Sequence, residues 1–275
     1  MRRIRPAAAF RPASLLFVVL ALVLLAPAAL PVSAKKATTD VRLYFLVDGK
    51  IAATTRAVES TPAIATATLT ALFAGPQVND LAIGQRTALP ASLALADPLK
   101  IDQSSKIATV SLPSNFIGQS KSGEIQRTAQ IVYTLTQFPT VTGVSFVIDG
   151  TRYKPLNGEG KRADGPVGRA DYEALVPAIL FESASGNPLH VTGTANVFEA
   201  EFRFELYDAS NQMIANGNIM ASSGTGTRGS FKSDISYKVK NDQTGTLVGY
   251  EPSAKDGSRT NVVAIPVLLT ATSST

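Results

Sequence analysis

Apolar and polar residues alternate near residue 41 in the way that is typical of β-strands. Residues 41–47 carry apolar side chains at every second position, and a further strand-like run covers residues 50–58. Between the two runs stands Asp48-Gly49, which tolerates the positive φ angles of a two-residue turn. The pattern therefore predicts a β-hairpin.

A helix and a second pair of strands are predicted to follow this hairpin. Pro62 after a Ser-Thr pair suits the first helical position, and Gly75 suits the end of the helix. Apolar runs at residues 99–101 and 107–112 flank a polar turn and predict another strand pair.

The most organised stretch of the chain runs from residue 124 to residue 153. Apolar side chains at helical spacing predict an amphipathic helix over residues 124–138, with Ser122 as its candidate cap. Pro139 ends this helix because it lacks an amide hydrogen. The spacing places three polar side chains on an exposed face, away from the apolar stripe: Gln126, Arg127 and Gln130.

A strand and a tight turn complete the first predicted domain. Residues 144–148 alternate between apolar and polar side chains and lead into Asp149-Gly150, a second candidate hairpin turn. The order of strands and helices is mixed rather than strictly alternating. We therefore predict an α+β domain over residues 40–154, with a mixed sheet and helices packed on one face.

The composition changes after residue 154. Residues 155–170 are dense in glycine, proline and charge without apolar periodicity, so we interpret them as a linker and expect a hinge. Residues 171–270 show only strand-like patterns, and the period-two alternation is clearest over residues 198–207. Seven or eight candidate strands predict an all-β, immunoglobulin-like sandwich.

The N-terminus has the three parts of a secretory signal. Four arginines precede an apolar run over residues 15–26, and the small residues Val32-Ser33-Ala34 follow. We therefore expect a signal peptide over residues 1–34, cleavage after Ala34 and export. The alternative is a retained membrane anchor, although the uninterrupted apolar run is shorter than the roughly 20 residues of a spanning helix.

Charge and cysteine content exclude several classes of protein. The chain has 26 basic and 21 acidic residues, and the first 34 positions hold four of the basic residues and none of the acidic ones. The remaining 22 basic and 21 acidic residues leave a net charge of +1, so we expect no nucleic-acid partner. Because the chain has no cysteine, it has no disulfide, lipid-modified cysteine, thiolate metal site or cysteine nucleophile.

The sequence assigns no catalytic, cofactor-binding or metal-binding residue. Residues 224–229 fit G-x-G-x-x-G, but a strand-like run follows where a dinucleotide site needs a helix, so we expect a β–β loop. His190 is the single histidine and is expected at the surface where a strand begins, which leaves no multi-histidine metal site. Asp242 and Asp256 lie in turns without the spacing of a calcium loop. We expect no cofactor.

Two weaker patterns leave alternative functions open. Glu199, Glu201 and Glu205 are expected on one face of a strand, normally a solvated face, but convergent carboxylates in a cleft would indicate a cell-wall hydrolase. A glycan-binding adhesin would need several of the seven tyrosines exposed together, because the chain has no tryptophan.

Several motifs resemble two domain families of bacterial spore formation. Three stretches resemble the GerMN (sporulation and spore germination) family, and they occur in the same order along the chain: residues 72–76, 129–136 and 144–150. The immunoglobulin-like domain of bacterial spore germination is resembled by residues 171–172, 177–179, 193–199 and 255–257. Together the two resemblances cover nearly all of residues 40–270.

The resemblance implies an exported envelope protein without an established set of catalytic residues. It implies partners among envelope proteins, or self-association through the GerMN-like domain, with a cell-wall glycan as the other candidate partner. Membrane contact is expected only if the signal segment is retained as an anchor. We therefore expect a non-enzymatic binding or assembly module that is extracellular or associated with the cell envelope.

Overall fold

The computed structural model describes residues 36–118 and 120–272. The predicted signal peptide, its cleavage after Ala34 and the alternative of a retained anchor all concern residues 1–34. These predictions therefore lie outside the described residues.

The described chain begins with a long hairpin and two helices. β1 (Thr38–Val47) and β2 (Lys50–Glu59) are antiparallel, and the turn residues Asp48 and Gly49 have φ angles of +48° and +76°. The hairpin and its turn are therefore as predicted. α1 (Ile64–Phe73) and α2 (Val78–Ala82) follow, and the chain leaves α1 through Gly75 at a φ of +83°.

A four-stranded mixed sheet completes the first domain. It consists of β3 (Lys100–Asp102), β4 (Ile107–Leu112), β5 (Gly143–Ile148) and β6 (Thr151–Tyr153) in that order. β4 and β5 are parallel because a 3-10 helix (Ser114–Phe116) and the long α3 (Lys121–Leu135) carry the chain back between them. The other two pairs are antiparallel, so the mixed sheet with helices is confirmed.

α3 is buried on more sides than the sequence predicts. Its cap is Ser120 rather than Ser122, since the Ser120 hydroxyl accepts a hydrogen bond from the Gly123 amide at 3.1 Å. Gln130 is fully buried, where it donates to the Tyr44 carbonyl at 3.0 Å and accepts from the Ala88 amide at 2.8 Å. The exposed polar face predicted for this helix is therefore wrong, because Gln130 satisfies backbone groups of neighbouring segments and Arg127 is buried as well.

The segment interpreted as a linker is attached to the first domain at both ends. Leu156 and Val167 are buried, and Val167 exchanges two backbone hydrogen bonds with Val144 at 2.8 and 2.9 Å. A 3-10 helix (Arg169–Leu175) and the residues after it then add apolar side chains to the core of the first domain: Tyr172, Leu175, Val176 and Leu180. The sequence-based domain limits stay predictions, but these contacts hold the chain to the first domain on both sides of residues 157–165 and oppose a free hinge.

Limited proteolysis tests this attachment. We expect cleavage within residues 157–165 and expect the two fragments to stay together under native conditions, because buried side chains anchor the chain on both sides of the cut. Native size-exclusion chromatography of the cleaved protein, compared with a denaturing gel, would show this. Fragments that separate without denaturant would restore the hinge interpretation.

The second domain is a sandwich of seven strands within the described residues. One sheet has the order β10–β9–β12–β13 and the other the order β11–β8–β7, with all neighbouring strands antiparallel. The strands are β7 (Ile179–Ser185), β8 (Leu189–Ala195), β9 (Glu201–Tyr207), β10 (Met213–Met220), β11 (Gly229–Ile235), β12 (Gln243–Pro252) and β13 (Arg259–Leu269). The rings of Phe181, Phe202 and Phe231 meet edge to face at centroid distances of 5.0–6.0 Å in the shared core. The immunoglobulin-like sandwich is confirmed.

One predicted strand begins later than the alternation suggests. Residues 198–200 form a 3-10 helix (Phe198–Ala200), and Glu199 and Ala200 have left-handed φ angles of +53° and +61°. Phe198 is consequently exposed instead of entering the core. Residues 224–229 connect β10 to β11, so the predicted β–β loop is confirmed.

Candidate functional site at the domain junction

Three strand edges meet where the two domains contact each other. A groove between the domains is lined by residues 50–57 of β2, 179–185 of β7 and 261–268 of β13. A strand face contributes every second residue, whereas an edge contributes consecutive residues, so this groove follows strand edges. The residue numbers rise together from one end to the other, which shows that the three strands run in the same direction.

The carboxylate of Glu182, from the second domain, joins the two domains in the middle of the junction. The side chain of Glu182, on β7, is 13% exposed, and it lies 2.7 Å from Arg169 Nη1 and 3.6 Å from Arg42 Nη1. The hydroxyl of Tyr44 donates a short hydrogen bond to its second oxygen. Burial, and then the Glu182 carboxylate, raise the pKa of Tyr44, so the hydroxyl stays protonated and remains a donor.

Arg169 connects this carboxylate to the core of the first domain. Its guanidinium lies 5.2 Å from the ring centroid of Tyr44 and 4.8 Å from that of Tyr133. It also donates to the Thr136 hydroxyl at 2.9 Å and to the Tyr133 carbonyl at 3.3 Å. Burial raises the pKa of Tyr133 to about 12. Arg169 donates to the Tyr44 hydroxyl as well, at 3.0 Å. Arg169 thus contacts an ion-pair partner, two rings and three neutral acceptors, and these contacts join the two domains.

An apolar cleft of about 340 Å³ opens at one end of the junction. The hairpin tip around Ile51, the residues entering β7 and the first half of β13 line it. Val262, on β13, is 51% exposed at this cleft although it is a large apolar residue. Lys50 lies at the rim, where its ammonium donates to the Ala174 carbonyl at 2.6 Å. The cleft is therefore a concave apolar surface to which both domains contribute.

The opposite end of the groove is polar. Asp80 accepts hydrogen bonds there from Arg56 Nη2 at 2.5 Å, from the Thr54 hydroxyl at 2.8 Å and from the Gln77 amide at 2.7 Å. These bonds satisfy the buried carboxylate within the protein. This end consequently offers a less suitable site for an apolar ligand.

The three carboxylates considered for hydrolysis do not converge. Glu199 lies in the 3-10 turn outside the strand, and Glu201 accepts a hydrogen bond from Asn218. Glu205 is buried instead of solvated, and its carboxylate accepts from Arg259 at 2.8 Å, Tyr207 at 2.6 Å and Tyr250 at 3.1 Å. The prediction of one solvated face was therefore wrong, because residues of three strands cover Glu205 and neutralise its charge.

The other residues considered for catalysis or metal binding make hydrogen bonds within the protein. His190 Nδ1 lies 2.6 Å from Asp234 Oδ1 at an exposed position on two paired strands. Asp242 accepts from the Ala271 amide at 2.8 Å, and Asp256 accepts from the Ser258 amide at 3.0 Å. Within the described residues, no three histidine, aspartate or glutamate side chains cluster as a metal site would require.

Most tyrosines are buried, and this affects the glycan-binding alternative. Tyr153 and Tyr207 are partly exposed, and the other five are buried in the two cores or at the junction: Tyr44, Tyr133, Tyr172, Tyr237 and Tyr250. A glycan surface built from several tyrosines therefore has no support in this part of the chain. None of the helices in the described region is both long and apolar enough to cross a membrane.

Comparison with protein families accounts for both domains. The family model described as "Sporulation and spore germination" (Germane, or GerMN) matches residues 42–154. The model described as "Immunoglobulin-like domain of bacterial spore germination" (Gmad2) matches residues 181–258. Residues 42–154 thus match a GerMN domain and residues 181–258 match a Gmad2 domain.

Several solved structures are similar to parts of this chain. The tandem GerMN domains of the sporulation protein GerM from Bacillus subtilis share 17% identity over 73% of this chain and 62% of theirs, with a TM-score of 0.41. The first GerMN domain of the same protein shares 24% identity over 48% of this chain and 99% of its own length, with a TM-score of 0.40. A putative lipoprotein from Clostridium perfringens shares 23% identity over 51% and 93%, with a TM-score of 0.35.

The chain spans about 62% of the length of the tandem GerM structure. No curated protein sequence matches it. Both domain families belong to sporulation and germination proteins and are not families of known enzymes.

Part of the junction lies between the two family matches. Arg169 belongs to neither the GerMN nor the Gmad2 match, and Glu182 is the second residue of the Gmad2 match. Part of the apolar cleft, residues 176–180, also falls in the stretch between them. Residues 177–179 resemble a motif of the immunoglobulin-like family, but no motif of either family includes Arg169 or indicates that it pairs with Glu182. The one sequence signal is a glutamate inside the apolar start of β7.

Proposed function

We propose that this chain is an exported cell-envelope protein that acts by binding or assembly rather than by catalysis, and that its apolar cleft holds a protein partner. The observation that carries the proposal is the composite character of the cleft, which needs both domains in one fixed arrangement. The Arg169–Glu182 pair supplies that arrangement. A partner in the cleft would contact the GerMN and Gmad2 domains together.

Export and envelope location rest on the N-terminal pattern of the sequence and on the domain families. The basic region, apolar run and small residues before Lys35 support secretion. The non-enzymatic role is supported by Glu205, whose ion pair and hydrogen bonds suit a structural carboxylate better than a general acid. Cell-wall hydrolysis is therefore the less favoured function.

Affinity capture from the envelope fraction of the source cells tests the proposed site. We expect the secreted chain to retain a protein that Val262→Lys no longer retains, because the added charge would have to be buried in an apolar cleft. Leu268→Lys is the matched control, since Leu268 is an exposed apolar residue on the same strand at the other end of the groove. The captured protein is then purified, and its binding to the wild type, Val262→Lys and Leu268→Lys is measured by titration.

Two results would contradict the proposal. Equal binding to all three chains would remove the cleft as the partner site. Release of soluble fragments from purified cell-wall peptidoglycan by the wild-type chain would replace binding with hydrolysis.

A further inference from the structure

The strand β10 is an open edge with an unusual composition. It ends the four-stranded sheet of the sandwich, and among the described strands it pairs with β9 alone. Its sequence, MIANGNIM, contains no charged residue and no proline. Met213 and Met220 are 50% and 61% exposed, although both are large apolar residues. Such an edge is a ready template for pairing with another strand.

The other edge strands of the described sheets carry charge, and three of them, β2, β7 and β13, line the groove between the domains. Each of β1, β2, β3, β6, β7, β11 and β13 contains at least one charged side chain, and β13 also contains Pro266. The contrast is sharpest with β11, the edge beside β10 in the other sheet, which carries Lys232 and Asp234. Charge on an edge is a common defence against unwanted pairing, so its absence from β10 alone indicates a strand that pairs.

The lack of charge on β10 fits one partner in particular, a second copy of the same strand. In a two-fold symmetric pair the two strands run antiparallel, and residues near the axis face their own counterparts. A charged residue near the axis would therefore meet a like charge, which destabilises cross-strand pairs. β10 has none, and Asn216 and Asn218 flank its central Gly217 with neutral groups that both donate and accept hydrogen bonds.

We propose that two copies of this chain pair through their β10 strands, antiparallel and with the two-fold axis near Gly217. The four-stranded sheets of the two sandwiches then form one continuous eight-stranded sheet. A bulge between Met213 and Ala215 interrupts the ladder at the start of β10, so the regular residues 215–219, which are symmetric about Gly217, make the contact. Asn216 of one copy lies opposite Asn218 of the other. This inference rests on the assembly role proposed above but uses a different surface.

Cysteine cross-linking tests the pairing directly, because the natural chain has no cysteine. Single variants Asn216→Cys and Asn218→Cys are mixed and oxidised, and we expect a disulfide-linked dimer that disappears on reduction. Lys232→Cys mixed with Ser230→Cys, on the charged edge of β11, is the control and is expected to remain monomeric. Equal cross-linking at both edges would show random collision and would overturn the proposal.

A charge variant tests the same contact without cross-linking. We expect sedimentation of the wild-type chain to show a dimer and that of Asn216→Lys to show a monomer. At dilutions where the wild-type chain is monomeric too, the two melting temperatures should be equal, because Asn216 is exposed. A wild-type chain that remains monomeric at high protein concentration would overturn the proposal. Asn216→Lys should still bind the partner captured through the cleft, whereas Val262→Lys should still dimerise. Loss of dimerisation and loss of partner binding in the cleft are therefore separate outcomes.

Discussion

Replacing Glu182 with alanine is expected to lower the free energy of unfolding by about 3 kcal/mol, near the lower end of the range for removing one partner of a buried ion pair. The variant leaves Arg169 between two tyrosine rings without its carboxylate, and it also removes the acceptor of the Tyr44 hydroxyl. We choose the lower end because the Arg169 side chain is 32% exposed and keeps some hydration.

Urea unfolding followed by two probes would measure this effect. The wild-type protein should unfold in one transition, whereas the variant should show separate transitions for the two domains, because the pair connects them. Glu59→Ala is the matched control, since Glu59 pairs with Lys36 on the surface. Its effect should stay within about 1 kcal/mol. A Glu182 variant that behaves like this control would show that apolar contacts alone hold the junction.

Replacing Gly193 with alanine is expected to destabilise the sandwich by about 3 kcal/mol, at the upper end of the usual cost of overpacking a core. A Cβ atom at this position would lie 2.1 Å from the Leu180 carbonyl oxygen and 2.4 Å from the Phe231 ring. The carbonyl belongs to the neighbouring strand and cannot move alone, and the ring is held by Phe181 and Phe202. The strands must therefore separate to admit one methyl group.

Thermal unfolding and the near-ultraviolet signal of the aromatic cluster would follow this change. Gly165→Ala is the control, because a Cβ atom there meets nothing within 4 Å, and its effect should remain within about 0.5 kcal/mol. A Gly193 variant that retains the stability of the wild type would mean that the ring cluster can shift as a unit.

The parts of the fold that depend on local chemistry could be predicted from the sequence. Both Asp-Gly turns form as expected, because positive φ at Asp48 and Asp149 followed by glycine is a property of a few adjacent residues. The alternation of β9 predicted a half-buried strand, although it could not reveal that Glu199 and Ala200 turn the backbone just before it.

The parts that depend on distant contacts could not be predicted. The helical spacing of α3 correctly indicated an apolar stripe, but Gln130 is buried as well because a hairpin and a loop bring it unpaired backbone groups. Glu205 is buried because Arg259 and Tyr250 reach it from other strands and Tyr207 covers it from its own strand. The junction depends on a pair between Arg169 and Glu182 of different domains, and the local sequence around either residue does not indicate its partner.

Because β2, β7 and β13 run in the same direction, the two ends of the described chain lie at the same end of the groove. Asp40 near the start of β1 and Thr270 just after β13 both line the polar end of the groove, so the described chain enters and leaves at that end. The hairpin tip at Asp48 lies at the other end, beside the apolar cleft. A tether attached beyond either end of the described chain would therefore lead to the polar end of the groove, with the apolar cleft at the other end.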